Sequence, residues 1–398
     1  MNHLKTLFPA CAIGDDGMLY YVTHIEHAIK VLNLRNGKIR YVDIPEVYNP
    51  TEWQGVDHLF VNRNNLYLFE QNGGRLLEID LNRGKSRCFM LDNKMYNCDN
   101  WAVYALYDDI IYAFPSFLNK LIKIDLINGE VENKENLLEN IEYTFNQKKN
   151  SYISKGVKVE YPSKLYSCGC KIGKDIWIFT EQNQIVLKYN MCKESCVKYI
   201  LPDNISGCIH AMWKNNLFYI LSSEGNVYIW DPENGRVNLL FDCEYKYLYP
   251  YFLKIAVTDK YIWMLPCMGR DICIVDLKTG EGKIYQKYPE DFCYYEYFDR
   301  SKYFGYEEDN VNYYFSMHSA NYILIIEKSS GKGVWLKPEE PSLEEKIDYY
   351  RKNKFENYEE MDFGLEGFFM IIEKKTDVIG NICKNQIGNY IWNIYDFR

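Results

Sequence analysis

The sequence predicts an all-β chain, a seven-bladed β-propeller of four-stranded antiparallel blades with a short α-helical C-terminal extension. Three observations carry this. A segment of two apolar strands and a glycine turn recurs along the chain, two markers inside it keep step, and the strands are rich in β-branched and aromatic residues. The aromatic marker falls at Tyr20, Tyr67, Tyr112, Trp177, Phe218, Trp263 and Tyr313. The polar residue that ends the following strand falls at Asn33, Asp80, Asp125, Asn190, Asp231, Asp276 and Glu327. Successive aromatics are 47, 45, 65, 41, 45 and 50 residues apart, and successive polar residues 47, 45, 65, 41, 45 and 51. A repeat near 45 residues is the length of one propeller blade.

The elements follow in order. The turn glycine stands four residues after the polar marker at Gly37, Gly84, Gly129, Gly235, Gly280 and Gly331, and the fourth copy carries Glu194 there. Asn36-Gly37, Asn128-Gly129 and Asn234-Gly235 read as tight hairpin turns with positive φ at both central residues. Ile272-Cys273-Ile274-Val275 and Tyr322-Ile323-Leu324-Ile325-Ile326 have strand composition. Stretches such as Ala102 to Leu106 and Cys208 to Met212 supply an innermost strand before the aromatic one. The blades are expected over residues 7–337, and the wide gap of 65 places an insertion at 134–164 between blades three and four.

Val275-Asp276-Leu277-Lys278-Thr279-Gly280 and Trp230-Asp231-Pro232-Glu233-Asn234-Gly235 resemble the D-x-x-[TN]-G turn of quinoprotein-like and YVTN-type propeller repeats. The string from Ile111 to Val131 is similar to the same pattern. The resemblance covers the seven blades and implies the fold, which hosts very different functions. Quinone-binding members use two adjacent cysteines, and no two are adjacent here. No residue maps onto the catalytic positions of antibiotic-lyase propellers.

After blade seven, Pro338-Glu339-Glu340-Pro341 breaks the pattern. Ser342 with Glu345 three residues later forms a capping box that predicts a helix to about Asn353. Leu365, Phe368, Phe369 and Ile372, then Ile379, Ile382, Ile391 and Ile394, fall at helical spacing. Residues 338–398 are therefore expected to be a helical extension packing on the propeller, with a partner-docking appendage as the other reading.

Composition narrows function. Among 398 residues, 16% are aromatic, with 37 Tyr, 20 Phe and 8 Trp, which argues against disorder. A formal charge of −9 argues against nucleic-acid or anionic-membrane partners. The 13 cysteines include no Cys-x-x-Cys pair; Cys168 and Cys170 form a C-x-C, and burial rather than metal binding is expected. The first twelve residues lack a long apolar core, and no apolar run reaches the ~20 residues of a membrane helix, so a cytoplasmic location is expected.

Ligand contacts are expected where loops joining second and third strands meet the connections between blades. The loops carry His24, Glu26, Glu70, Glu181, Arg270 and His318 among others; the connections are aromatic, with Tyr48 and Trp53, Tyr96 and Trp101, Tyr245 to Tyr249, and Tyr294 to Phe298. The residues nominated for ligand binding are Trp53, Trp101, Glu181, His210, Tyr249, Arg270 and His318. The flat faces and polar edges of the Tyr and Trp residues suit a peptide, protein or carbohydrate ligand. Counted from the blade aromatics, His58 and His210 are nine and eight residues upstream, so they are expected on opposite faces. Asp15-Asp16, Glu307-Glu308 and Glu359-Glu360 read as solvated turns. No nucleophile triad, metal motif or phosphate loop is present, and neither a metal nor a cofactor is expected. A non-catalytic binding propeller leads; the alternatives are a propeller lyase or hydrolase with its site at the channel mouth, and a scaffold docked through its C-terminal helices.

Overall fold

The computed structural model describes residues 10–22, 28–43, 56–70, 74–91, 101–137, 149–154, 157–162, 164–181, 184–202, 205, 207–244, 252–266, 271–292, 303–317 and 322–352. The chain divides into two compact units, Lys5–Glu339 and Glu340–Arg398 with Met1–Leu4.

The first unit holds seven four-stranded antiparallel sheets, each built from consecutive strands. Blade one is β1 (Ala10–Ile13), β2 (Met18–Val22), β3 (Ile29–Asn33) and β4 (Ile39–Tyr41). Blade two is β5 (Val56–Asn62), β6 (Asn65–Glu70), β7 (Arg75–Asp80) and β8 (Ser86–Met90). Blade three is β9 (Trp101–Tyr107), β10 (Ile110–Pro115), β11 (Lys120–Asp125) and β12 (Val131–Glu135). A separate hairpin, β13 (Lys149–Ser154) and β14 (Val157–Pro162), lies within the predicted insertion. Blade four is β15 (Tyr166–Ile172), β16 (Asp175–Thr180), β17 (Ile185–Asn190) and β18 (Ser195–Ile200). Blade five is β19 (Cys208–Lys214), β20 (Leu217–Ser222), β21 (Val227–Trp230) and β22 (Val237–Phe241). Blade six is β23 (Phe252–Val257), β24 (Tyr261–Pro266), β25 (Cys273–Asp276) and β26 (Gly282–Ile284). Blade seven is β27 (Tyr303–Glu308), β28 (Asn312–Met317), β29 (Ile323–Glu327) and β30 (Gly333–Leu336).

First strands of neighbouring blades pack together at five junctions, β1 against β5 and β27, β15 against β9 and β19, and β19 against β23, and the contact of β1 with β27 joins the first blade to the seventh. Burial falls from the axis outwards. Four or five residues of each described second strand are buried, whereas β18 is exposed along nearly its whole length. Closure is reinforced at the rim. Glu339 N–H donates to Gly37 O at 2.7 Å, and Ile39 N–H donates to Glu339 O at 3.1 Å. Gly37 permits this approach twice over: its φ is +77°, and a Cβ there would stand 2.7 Å from Lys337 O.

Aligned by strand, the aromatic marker is the third residue of every second strand: Tyr20, Tyr67, Tyr112, Trp177, Tyr219, Trp263 and Tyr314. Blades five and seven thus correct the sequence alignment by one residue, from Phe218 to Tyr219 and from Tyr313 to Tyr314. In blade five Leu221 pairs with Val227, five residues lying between them where six lie between the paired Phe69 and Leu76 of blade two, and both candidate positions are aromatic. Composition alone could not choose between them.

The turns also differ from the expected two-residue form. Asp125 N–H donates to Glu130 O and Gly129 N–H to Asp125 O, which encloses a four-residue loop. The Asp125 carboxylate accepts from the N–H groups of Ile127 and Asn128 at 2.8 and 2.9 Å, an Asx arrangement repeated at Asp80, Asp231 and Asp276. Only the glycine takes positive φ; Asn36, Asn128 and Asn234 do not. In blade four Glu194 itself adopts φ +50°, and its carboxylate meets Lys123 at 2.6 Å and Lys134, both on blade three. Those two lysines hold the Glu194 carboxyl below the usual carboxylate range.

In the second unit, the capping box forms as read: Ser342 N–H donates to Glu345 Oε2 at 2.8 Å, and Glu345 N–H donates to Ser342 Oγ at 3.2 Å. The helix α1 runs Leu343–Lys352. The helical stripes beyond Asn353 lie outside the described residues.

Glu194→Gly relieves left-handed strain while losing both lysine contacts, whereas Glu194→Ala loses the contacts and keeps the strain. Urea unfolding is expected to rank the alanine variant below the glycine variant by about 1 kcal/mol.

Candidate functional site: the inner strands

The inner strands place their side chains in level rings around the axis. Blades two to seven share a device: the first strand skips one residue near its start, as between Val56 and His58 or between Cys208 and His210. Such a bulge re-aims the residue that follows it. Those residues, each opposite the fifth position of its second strand, are His58, Val103, Cys168, His210, Lys254 and Gly305, with Ala10 completing the ring in blade one. The next level carries Cys11, Tyr104 and Tyr306, and the level after it Glu307.

This alignment corrects the expectation that His58 and His210 face opposite ways. His58 stands opposite Phe69 and His210 opposite Leu221, the fifth residues of β6 and β20, so the two occupy the same position in blades two and five. The one-residue error in the blade-five marker produced the false parity. Each histidine meets a tyrosine edge-on: His58 with Tyr104 at 5.6 Å and His210 with Tyr306 at 5.7 Å between ring centroids. The second contact spans blade six, since His210 belongs to blade five and Tyr306 to blade seven.

The polar groups here serve exposed backbone. A first strand is the edge of its sheet, so alternate N–H and C=O groups point to the axis with no strand to receive them. Ile255 N–H donates to His210 Nδ1 at 3.3 Å. The Glu307 carboxyl accepts from Ile13 N–H. Tyr104 O–H donates to Leu59 O at 2.9 Å. In each case the side chain of one blade satisfies the inner edge of an adjacent blade, the following one for His210 and Glu307 and the preceding one for Tyr104.

Charge follows from that burial. Burial, and then the charge of Lys254, push His210 well below the usual histidine range; with Nδ1 accepting, the ring is neutral and carries its proton on Nε2. Burial, with a smaller push from Glu308, raises Glu307 to about 8 against the opposing Ile13 bond. Burial likewise lifts Tyr104 and Tyr306 well above the usual range. Lys254 acts electrostatically on Cys11, Cys168 and His210, which belong to blades one, four and five. Among the described residues no group of three or more His, Cys, Asp or Glu could hold a metal ion.

Of the nominated residues, Trp101, Glu181 and His210 are described and stand on blades three, four and five. Trp101 is a core residue, 3% exposed, with its ring 4.8 Å from Phe69. Glu181 accepts from Lys164 N–H at 2.7 Å. His210 is buried on the innermost strand β19. Trp53, Tyr249, Arg270 and His318 lie outside the described residues, as do His24 and the aromatic runs at Tyr48, Tyr96, 245–249 and 294–298. Sequence reasoning missed Lys254, Glu307, Tyr104 and Tyr306. Glu307, read as part of a solvated turn, lies in β27; Asp15-Asp16 is an exposed turn as read, and Glu359-Glu360 is outside the described residues. The missing signal was positional: Glu307 stands on a first strand at a level where the other blades carry Ala, Phe, Cys or Met.

No protein-family model matches the chain, and no curated protein matches its sequence. Solved structures do. A streptogramin B lyase is similar at 13% identity and TM-score 0.53, over 81% of this chain and 94% of that one. A catalytically inactive virginiamycin B lyase from Staphylococcus aureus, solved with quinupristin, gives 15% identity and TM-score 0.54 over 81% and 95%. The extracellular domain of a putative hybrid two-component system from B. thetaiotaomicron gives 8% and 0.50, over 84% of this chain and 48% of that one. These likenesses show the propeller fold, in keeping with the resemblance carried by the Asp-to-Gly turns.

The raised Glu307 value fixes a sign. The folded chain holds this proton where the unfolded chain releases it, so the stabilisation is complete below about 4.5 and is lost as pH rises through about 8. Glu307→Gln is expected to flatten the fall in unfolding free energy between pH 5 and 8, measured by urea titration at each pH. A wild-type profile matching the variant's contradicts the assignment.

Proposed function

We propose that this protein is a non-catalytic binding propeller that holds a peptide, protein or glycan on the aromatic connections between its blades. The observation that carries the reading is the engagement of the inner strands' polar groups. His210 accepts a backbone N–H and is neutral, and Glu307 accepts another. A general base needs its basic nitrogen or oxygen directed at substrate. His210 Nδ1 is directed at Ile255 instead, which weighs against the lyase or hydrolase alternative in its His210 form.

Recognition then falls to the loops, where propellers and other rigid scaffolds carry their variable contacts. Tyr and Trp supply large contact area at low entropic cost, which suits side chains and sugar rings alike. Trp53 and Tyr249 remain the proposed contacts. Trp101 becomes a support for blade three, because removing a buried Trp costs about 3–5 kcal/mol.

The test is a glycan and peptide array, followed by titration of hits against Trp53→Ala and Tyr249→Ala. Each variant is expected to lose at least about tenfold in affinity, the scale of a hot-spot contact, with an unchanged melting temperature. Undiminished binding in both rules out the connection face.

A further inference from the structure

We propose that Cys168 and Cys208 are a hydroperoxide-oxidisable thiol pair that closes to a disulfide between blades four and five. Their sulfurs are 3.7 Å apart and hydrogen-bonded, although the residues are 40 positions apart in sequence. The contact comes from the bulged inner strands: Cys168 follows the register shift in β15, Cys208 precedes the one in β19, and the two strands pack together. Both thiols are free and buried, at 7% and 2% exposure, on innermost strands.

The surroundings distinguish the two sulfurs. Burial opposes ionisation of Cys168, yet hydrogen bonds from Cys208 and Ser167 and the charge of Lys254 outweigh it and hold this thiol below its usual range. Burial and the neighbouring Cys168 push Cys208 well up. Cys168 is therefore the nucleophile, because the thiolate is the reactive form. Its sulfur attacks one oxygen of the hydroperoxide; an S–O bond forms, the O–O bond breaks, and the departing oxygen leaves as water or alcohol after taking up a proton. The Cys208 sulfur then attacks the sulfenic sulfur; the S–S bond forms, the S–O bond breaks, and water leaves with the Cys208 proton. Two thiols lose two electrons and the hydroperoxide gains them. Exposed Cys88, Cys192 and Cys196 have no such described sulfur contact, and Cys192 instead meets the Tyr107 hydroxyl at 3.1 Å.

The test treats the folded full chain with hydrogen peroxide, blocks remaining thiols with an alkylating agent during denaturation, and maps peptides by mass spectrometry. A Cys168–Cys208 linked peptide is expected, removable by dithiothreitol. The linked protein is expected to unfold at a higher temperature than the reduced one, since the bond shortens the unfolded chain's reach. In Cys208→Ser, Cys168 is expected to be trapped by dimedone as the sulfenic acid. Recovery of Cys168 and Cys208 as alkylated thiols, at doses that oxidise Cys192 and Cys196, overturns the proposal. So does a link that forms only in denaturant.

Discussion

Seven sheets arranged about one axis leave seven inner edges, and every one of them points backbone N–H and C=O groups at the middle of the ring. A buried amide without a partner costs on the order of 1–3 kcal/mol, so the edges cannot be left bare. The chain meets this constraint with side chains lent from blade to blade: His210 to Ile255, Glu307 to Ile13, and Tyr104 to Leu59. The bulge near the start of each first strand from blade two onward turns one residue towards the axis, and the loans start there or just beyond. Charge state follows from the same cause. The edges want acceptors and donors that stay put, and burial makes His210 neutral and Glu307 reluctant to ionise.

What was legible in the sequence was whatever repeats locally. The polar residue, the turn glycine and the aromatic recur because each blade needs the same hairpin, and Ser342 with Glu345 announced a helix start through contacts three residues apart. Tyr219 and Tyr314 show the limit of that method. Where two adjacent residues are both aromatic, periodicity cannot pick the right one, and an error of one residue reverses the face of everything counted from it. His58 and His210 were lost to each other in that way. Lys254 and Glu307 were illegible for a different reason: their neighbours come from other blades, and nothing within their own repeats records those contacts.

The turns express a second economy. An Asp carboxylate ties two N–H groups of its own loop, so a single left-handed residue suffices, and glycine takes it in six blades. Blade four accepts the strain at Glu194 and gains a tie to Lys123 and Lys134 of blade three. Blade four therefore touches its neighbours at both radii, through Glu194 at the rim and through Cys168 beside the axis. The aromatic surplus divides likewise. One aromatic per blade recurs at the same packing position, and others, such as Phe69, Trp101, Phe114 and Phe179, join it in the core.

Amide hydrogen exchange at Ile255 tests the edge-satisfaction account most directly. This N–H has no partner strand on the axial side, yet it is expected to exchange as slowly as the ladder amides of β23 in the native protein. In His210→Ala it is expected to exchange at least tenfold faster, on the scale of one lost hydrogen bond, while the ladder amides keep their protection. Fast exchange of Ile255 in the native chain, or protection unchanged by the substitution, contradicts the claim that side chains lent between blades seal the inner edge.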